Sequence, residues 1–127
     1  MNILIRWLTF WMALLIYLPK KAEAYDYRDY RISISEVGEI EKEEYAVLFY
    51  LPDCFGCQAI FDYIFGARIY RKFDLYYLDM TGEDYLSYRS EDKILSAPTL
   101  LWFSSSCRAR IEGLDEVHLY LEKMMNR

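Results

Sequence analysis

The chain has 127 residues, a formal net charge of −5 and 54% hydrophobic residues, 18% of the whole being aromatic. That length allows one domain and little more, and a domain of this size can hold a core without covalent staples. An acidic balance with no basic patch argues against nucleic acid as a partner, because nothing would displace counterions from phosphates.

Residues 1–24 differ in character from the rest. Arg6 is the one side-chain charge before Trp7, and Trp7 to Leu18 is a 12-residue run without charge. Pro19 ends any helix there, and Ala22-Glu23-Ala24 has the small-x-small pattern of a cleavage site. The segment reads as a signal peptide, with a mature start at Tyr25. An uncleaved membrane anchor is the alternative, although the apolar run is well short of the ~20 residues a bilayer span needs. Lys20 and Lys21 complicate the export reading, since positive charge after the apolar run weakens the usual asymmetry. The segment carries Arg6, Lys20, Lys21 and Glu23, or +2, which leaves −7 on residues 25–127. The expected domain is therefore 25–127, in a periplasmic or otherwise extracytoplasmic compartment, with membrane anchoring as the alternative.

Tyr25 to Tyr30 is polar and tyrosine-rich and is expected on the surface. Arg31 to Ser35 alternates and predicts a first strand, and Glu36 to Glu44 predicts a short helix with Ser35 as its N-cap, weakened by Gly38. Tyr45 to Leu51 is uninterrupted apolar or aromatic sequence stopped by Pro52, the pattern of a central strand buried on both faces. From Gln58 to about Tyr70, Ile60, Phe61, Ile64 and Phe65 make one apolar helical face. Phe73 to Asp79 predicts a strand. Glu83 to Ile94 predicts a third helix anchored by Tyr85, Leu86, Ile94 and Leu95. Ser96-Ala97-Pro98 interrupts. Thr99 to Phe103 is an apolar strand, Ser104 to Ser106 a turn, Cys107 to Glu112 an alternating partner strand. Gly113 ends it, and Asp115 is the expected cap of a last helix to about Met125. The order β-α-β-α-β-α-β-β-α implies parallel crossovers with a late antiparallel hairpin.

Three cysteines, Cys54, Cys57 and Cys107, are one close pair and one single, which is not a disulfide framework. Cys54-Phe55-Gly56-Cys57 lies where the buried strand meets the helix. Two cysteines at that spacing and junction suit dithiol–disulfide chemistry, because the attacking species is a thiolate and a helix N-terminus favours negative charge. A structural disulfide or half a zinc site is the other reading. Zinc needs about four ligands, and Cys107 and His118 alone remain to complete a set. Cys107 reads as an incidental thiol, with a mixed-disulfide or dimer contact as the alternative. His118 reads as a surface or core-margin side chain.

At this point the chain resembles the thioredoxin superfamily. The carriers are Ala46–Leu51, Cys54-Phe55-Gly56-Cys57 opening a helix, Ala97-Pro98-Thr99 running into Leu100 to Phe103, and Arg110-Ile111-Glu112-Gly113 before the last helix. The resemblance implies an α/β thioredoxin fold, a central mixed sheet of about five strands flanked by about four helices. It implies a thiol–disulfide oxidoreductase in which Cys54 attacks, Cys57 resolves, and Pro98 is a cis-proline. Phe55, Gly56, Ala97 and Pro98 would contact substrate. It implies no metal, nucleotide or flavin cofactor, and partners that are cysteine-containing exported proteins and a membrane redox protein. Three departures stand out: Asp53 where thioredoxins usually have tryptophan, Phe55-Gly56 between the cysteines, and Leu48 where thioredoxins bury an aspartate. They leave two alternatives open. One is a binding or assembly module with little redox turnover. The other is a Cu(I) metallochaperone using the two thiolates.

Overall fold

The computed structural model describes residues 24–127. The segment expected to be a leader therefore lies outside the described residues, Ala24 excepted. Among the described residues, no helix is long and apolar enough to cross a membrane.

One four-stranded sheet organises the chain, with strands β1 (Tyr45–Tyr50), β2 (Leu75–Asp79), β3 (Thr99–Phe103) and β4 (Arg108–Glu112) in the order β2-β1-β3-β4. Every residue of β1 is buried, as an unbroken apolar run requires of a central strand. β1 pairs in parallel with β2, placing Leu48 beside Tyr77, and antiparallel with β3, placing Leu48 beside Leu100. β3 and β4 form the antiparallel hairpin, with Leu101 beside Arg110 and Phe103 beside Arg108. One parallel pair thus replaces the run of parallel crossovers that the alternation implied, because β3 returns against β1.

Helix α1 (Phe55–Gly66) buries Cys57, Ile60, Phe61 and Ile64. It stops at Gly66, short of Tyr70, where a residue of low helix propensity meets Arg68 in the left-handed region at φ 53°. Helix α3 (Leu114–Met125) buries Val117 and Leu121, one turn apart. Both helices cover the first face of the sheet, where Leu48, Tyr50, Cys57, Tyr77, Leu100 and Trp102 form a single core. The second face holds Val47, Phe49, Leu78 and Met80, under Val37, Tyr85 and Ile94.

The cover on that second face departs most from the sequence expectations. The strand expected over Arg31–Ser35 is reduced to a single parallel bridge, Arg31 to Tyr77, with Ile32 N–H donating to Tyr77 O at 2.9 Å. Ser33 then diverts the chain: its N–H and hydroxyl both donate to Glu36 Oε1, at 3.0 and 2.9 Å, closing a 3₁₀ turn over Ile34–Glu36. Ser33, not Ser35, is the cap. The helix expected over Glu36–Glu44 does not form: beyond Glu36, residues 37–44 cross as irregular chain with Val37 buried. Helix α2 is only Glu83–Ser87. The loop after it folds back so that the Tyr85 hydroxyl donates to Ile94 O, and Leu86 and Leu95 are left exposed instead of anchoring a longer helix.

The N-terminal tyrosines, expected on the surface, are partly packed. Tyr25 stacks on Tyr70 with ring centroids 3.8 Å apart, and its hydroxyl shares a 2.9 Å hydrogen bond with that of Tyr77.

Candidate active site

Residues from three separated segments meet at the N-terminus of α1. The turn after β1 delivers Cys54 as the cap of the helix: its sulfur accepts a hydrogen bond from Cys57 N–H at 3.2 Å. A cap needs an acceptor aimed at the unpaired amides of the first turn, and here sulfur serves. The Cys54 thiol also donates to Ala97 O at 3.6 Å. Cys54 is half-buried, whereas Cys57, one turn on, is fully enclosed; both are free thiols.

The second segment is the loop before β3. The Ala97–Pro98 peptide bond is cis. Pro98 is buried, and Ala97 packs against the cores on both faces of the sheet. The third segment is the entry to α3. Gly113 lies at φ 94°, a conformation that favours glycine, and its N–H donates to Pro98 O at 2.9 Å. Gly113, not Asp115, is the capping position, and Asp115 lies in the first turn.

Gly56 joins the three. A methyl group at position 56 would lie 3.2 Å from Pro98 Cδ and 3.5 Å from Leu114 Cβ. The glycine lets the first turn of α1 sit directly against the proline ring. Leu114 was not singled out from sequence; its position directly after Gly113 was the available signal. Phe55, between the cysteines, points away from this contact and is 85% exposed. Leu95, three residues before Pro98, is 81% exposed and anchors no helix.

The electrostatics separate the two thiols. Burial pushes the Cys57 thiol up to about 12, and its hydrogen bond with Cys54 adds to the rise. Leu48 shares the Cys57 core, so the position that could have carried a carboxylate toward this thiol is apolar. Asp53 is exposed in the turn, with no cation within 4 Å among the described residues.

Cys107 and His118 do not join the site. Cys107 is exposed in the β3–β4 turn, where its N–H donates to Ser104 Oγ at 3.1 Å. His118 packs edge-on against Tyr63 on α1, with centroids 4.3 Å apart. Among the described residues, no group of three or more His, Cys, Asp or Glu is placed to hold a metal ion.

No family model matches the sequence, and no curated protein matches it. Solved structures do. Thioredoxin f2 of Chlamydomonas reinhardtii is 14% identical, with 74% of this chain and 94% of that one covered and a TM-score of 0.56. Oxidised thioredoxin O2 of Arabidopsis thaliana is 22% identical, over 65% and 72% of the two chains, at a TM-score of 0.51. Thioredoxin of Fasciola hepatica is 16% identical, over 73% and 89%, at a TM-score of 0.51. At these identities the likeness is one of fold. The described chain is an α/β domain with the thioredoxin fold.

Proposed function

We propose that the chain is an exported thiol–disulfide oxidoreductase working through Cys54 and Cys57. One observation carries the reading: Cys54 caps α1 with its sulfur, directed at Ala97 O beside Pro98, with Cys57 one turn behind. The Cys54 thiolate attacks one sulfur of a partner disulfide. A Cys54–partner disulfide forms, the partner S–S bond breaks, and the departing thiolate takes a proton. The Cys57 thiolate then attacks Cys54 Sγ, releasing the partner's second thiol. Two electrons have passed from the dithiol to the partner, and oxidation of a partner is the reverse. Phe55, Gly56, Ala97 and Pro98 form the surface on which the partner chain would lie. The substrates proposed are cysteine-containing exported proteins, with a membrane redox protein resetting the pair.

A second reading, a binding or assembly module with slow turnover, draws on the suppressed ionisation of Cys57 and the apolar Leu48 in the same core. Reduction of insulin, followed as turbidity, separates the two. The oxidoreductase should precipitate insulin, and Cys54→Ser should abolish this. A rate unchanged by Cys54→Ser, or no rate at all, removes the enzymatic reading. Export is checked on the same protein from its native host, where intact mass should show loss of residues 1–24. A full-length mass in the membrane fraction would favour the anchor.

A further inference from the structure

We propose that the second face of the sheet carries a binding site for a small amphiphilic anion, an apolar tail bearing a carboxylate. Its tail would lie on Phe49, Ile94 and Leu101, and its head group against Lys93, Arg108 and Arg110.

The site follows from the thin cover on this face. Where the sequence predicts two helices, the chain supplies a 3₁₀ turn, an irregular crossing and the five residues of α2. They leave a cavity of about 420 Å³ whose lining includes Val37, Gly38, Tyr85 and Ile94. That volume lies within the roughly 300–1,000 Å³ usual for small-ligand sites. Its floor is apolar, since Phe49 and Ile94 are buried and Leu101 is half-buried.

The mouth is cationic because of the register of the hairpin. Ala109 and Ile111 pack toward the first-face core. Alternation therefore sends Arg108 and Arg110 to the second face, directly beside Phe103 and Leu101. A face sealed by a helix would carry apolar residues at those positions. The Arg108 guanidinium sits over the Phe103 ring at 5.2 Å, and Lys93 Nζ over the Tyr85 ring at 4.8 Å. Among the described residues neither cation has a carboxylate within 4 Å, whereas Arg110 is paired with Glu112. Asp92 is the one acid lining the cavity, against three cations, in a chain of net charge −5. Local charge opposite to the global charge is what recognition of an anion requires. The cationic mouth also disfavours residues 1–24 as the occupant, since that segment carries +2.

Calorimetric titration of the full chain with decanoate tests the proposal, with decyltrimethylammonium as the cationic counterpart. Decanoate should bind saturably at one site, and the cationic amphiphile should not. The double variant Lys93→Gln, Arg108→Gln should weaken decanoate by at least about tenfold, some 1.4 kcal/mol. Gly38→Leu provides a second variant: a Cβ at position 38 would meet nothing within 4 Å, so the substitution starts in open space; it should fold normally and abolish binding by filling the mouth. Absence of saturable binding overturns the proposal. Equal binding of both amphiphiles would make the groove a merely apolar surface, such as a protein interface, and overturns it too. So does full affinity retained in either variant.

Discussion

Burial holds the Cys57 thiol protonated well above its ordinary value of 9.0, and that burial is the largest of the causes. In the proposed reaction Cys57 is the resolving thiol, so the resolving step should be the pH-sensitive one. Below its pKa a thiol loses about a factor of ten in thiolate per pH unit. Resolution should therefore accelerate by roughly that factor per unit as pH rises toward about 12. Acid quenching and mass measurement of the Cys54 mixed disulfide would follow it. A resolution rate flat with pH would show that Cys57 is not the attacking group. Leu48 does nothing to offset that burial. Between Tyr77 and Leu100 in the sheet, it presents no base to the thiol.

The elements that build the site are held by their ends. Lys72, in the turn before β2, donates through Nζ to Met124 O, Met125 O and Arg127 O, at 3.1, 2.8 and 3.3 Å. A cation at the carbonyl end of α3 satisfies unpaired acceptors and opposes the helix dipole, an effect of about 0.3–1 kcal/mol at an exposed position. Lys72→Met should lower the unfolding free energy by that amount, seen as a fall in the urea midpoint, and leave Cys54 reactivity unchanged. A midpoint equal to wild type would show that water replaces the ammonium without loss. Elements with a strong local signal were legible in the sequence: the unbroken run of β1, the cysteine pair at its end, the proline before β3. The segments 31–44 and 83–94 were not. Ile32 and Ile34 alternate like a strand, but the bonds from Ser33 to Glu36 compete for the backbone and close a turn. Tyr85, Leu86, Ile94 and Leu95 read as the apolar anchors of one helix, yet a tyrosine hydroxyl reaching the Ile94 carbonyl closes a loop instead. Both outcomes depend on side chains bonding to backbone, which hydrophobic spacing does not encode. The contact of Gly56 with Pro98 and Leu114 was equally invisible, because it joins segments distant in sequence.

Across the whole molecule the tyrosines tie the N-terminal segment to the sheet. Burial pushes Tyr25 and Tyr50 up to about 12 and raises Tyr77 further. In each, the neutral phenol is the form the fold favours. The stability this contributes is fully present below the ordinary value of 10.0 and is lost as pH rises toward 12. The denaturant midpoint should therefore fall across pH 10–12, in step with tyrosinate absorbance. A midpoint constant over that window would place the three phenols outside the folding equilibrium.

The same N-terminal segment has a consequence for contact between molecules. A sheet with open flanks offers unpaired amides and carbonyls to the strands of other chains. Beyond β2 the flank is occupied by Arg31 and Ile32, whose backbone bridges to Tyr77. On the opposite flank, β4 projects Arg108, Arg110 and Glu112 into solvent, three charges in a strand of five. One flank carries a backbone bridge at Tyr77 and the other a row of charges, two features that work against strand-by-strand self-association.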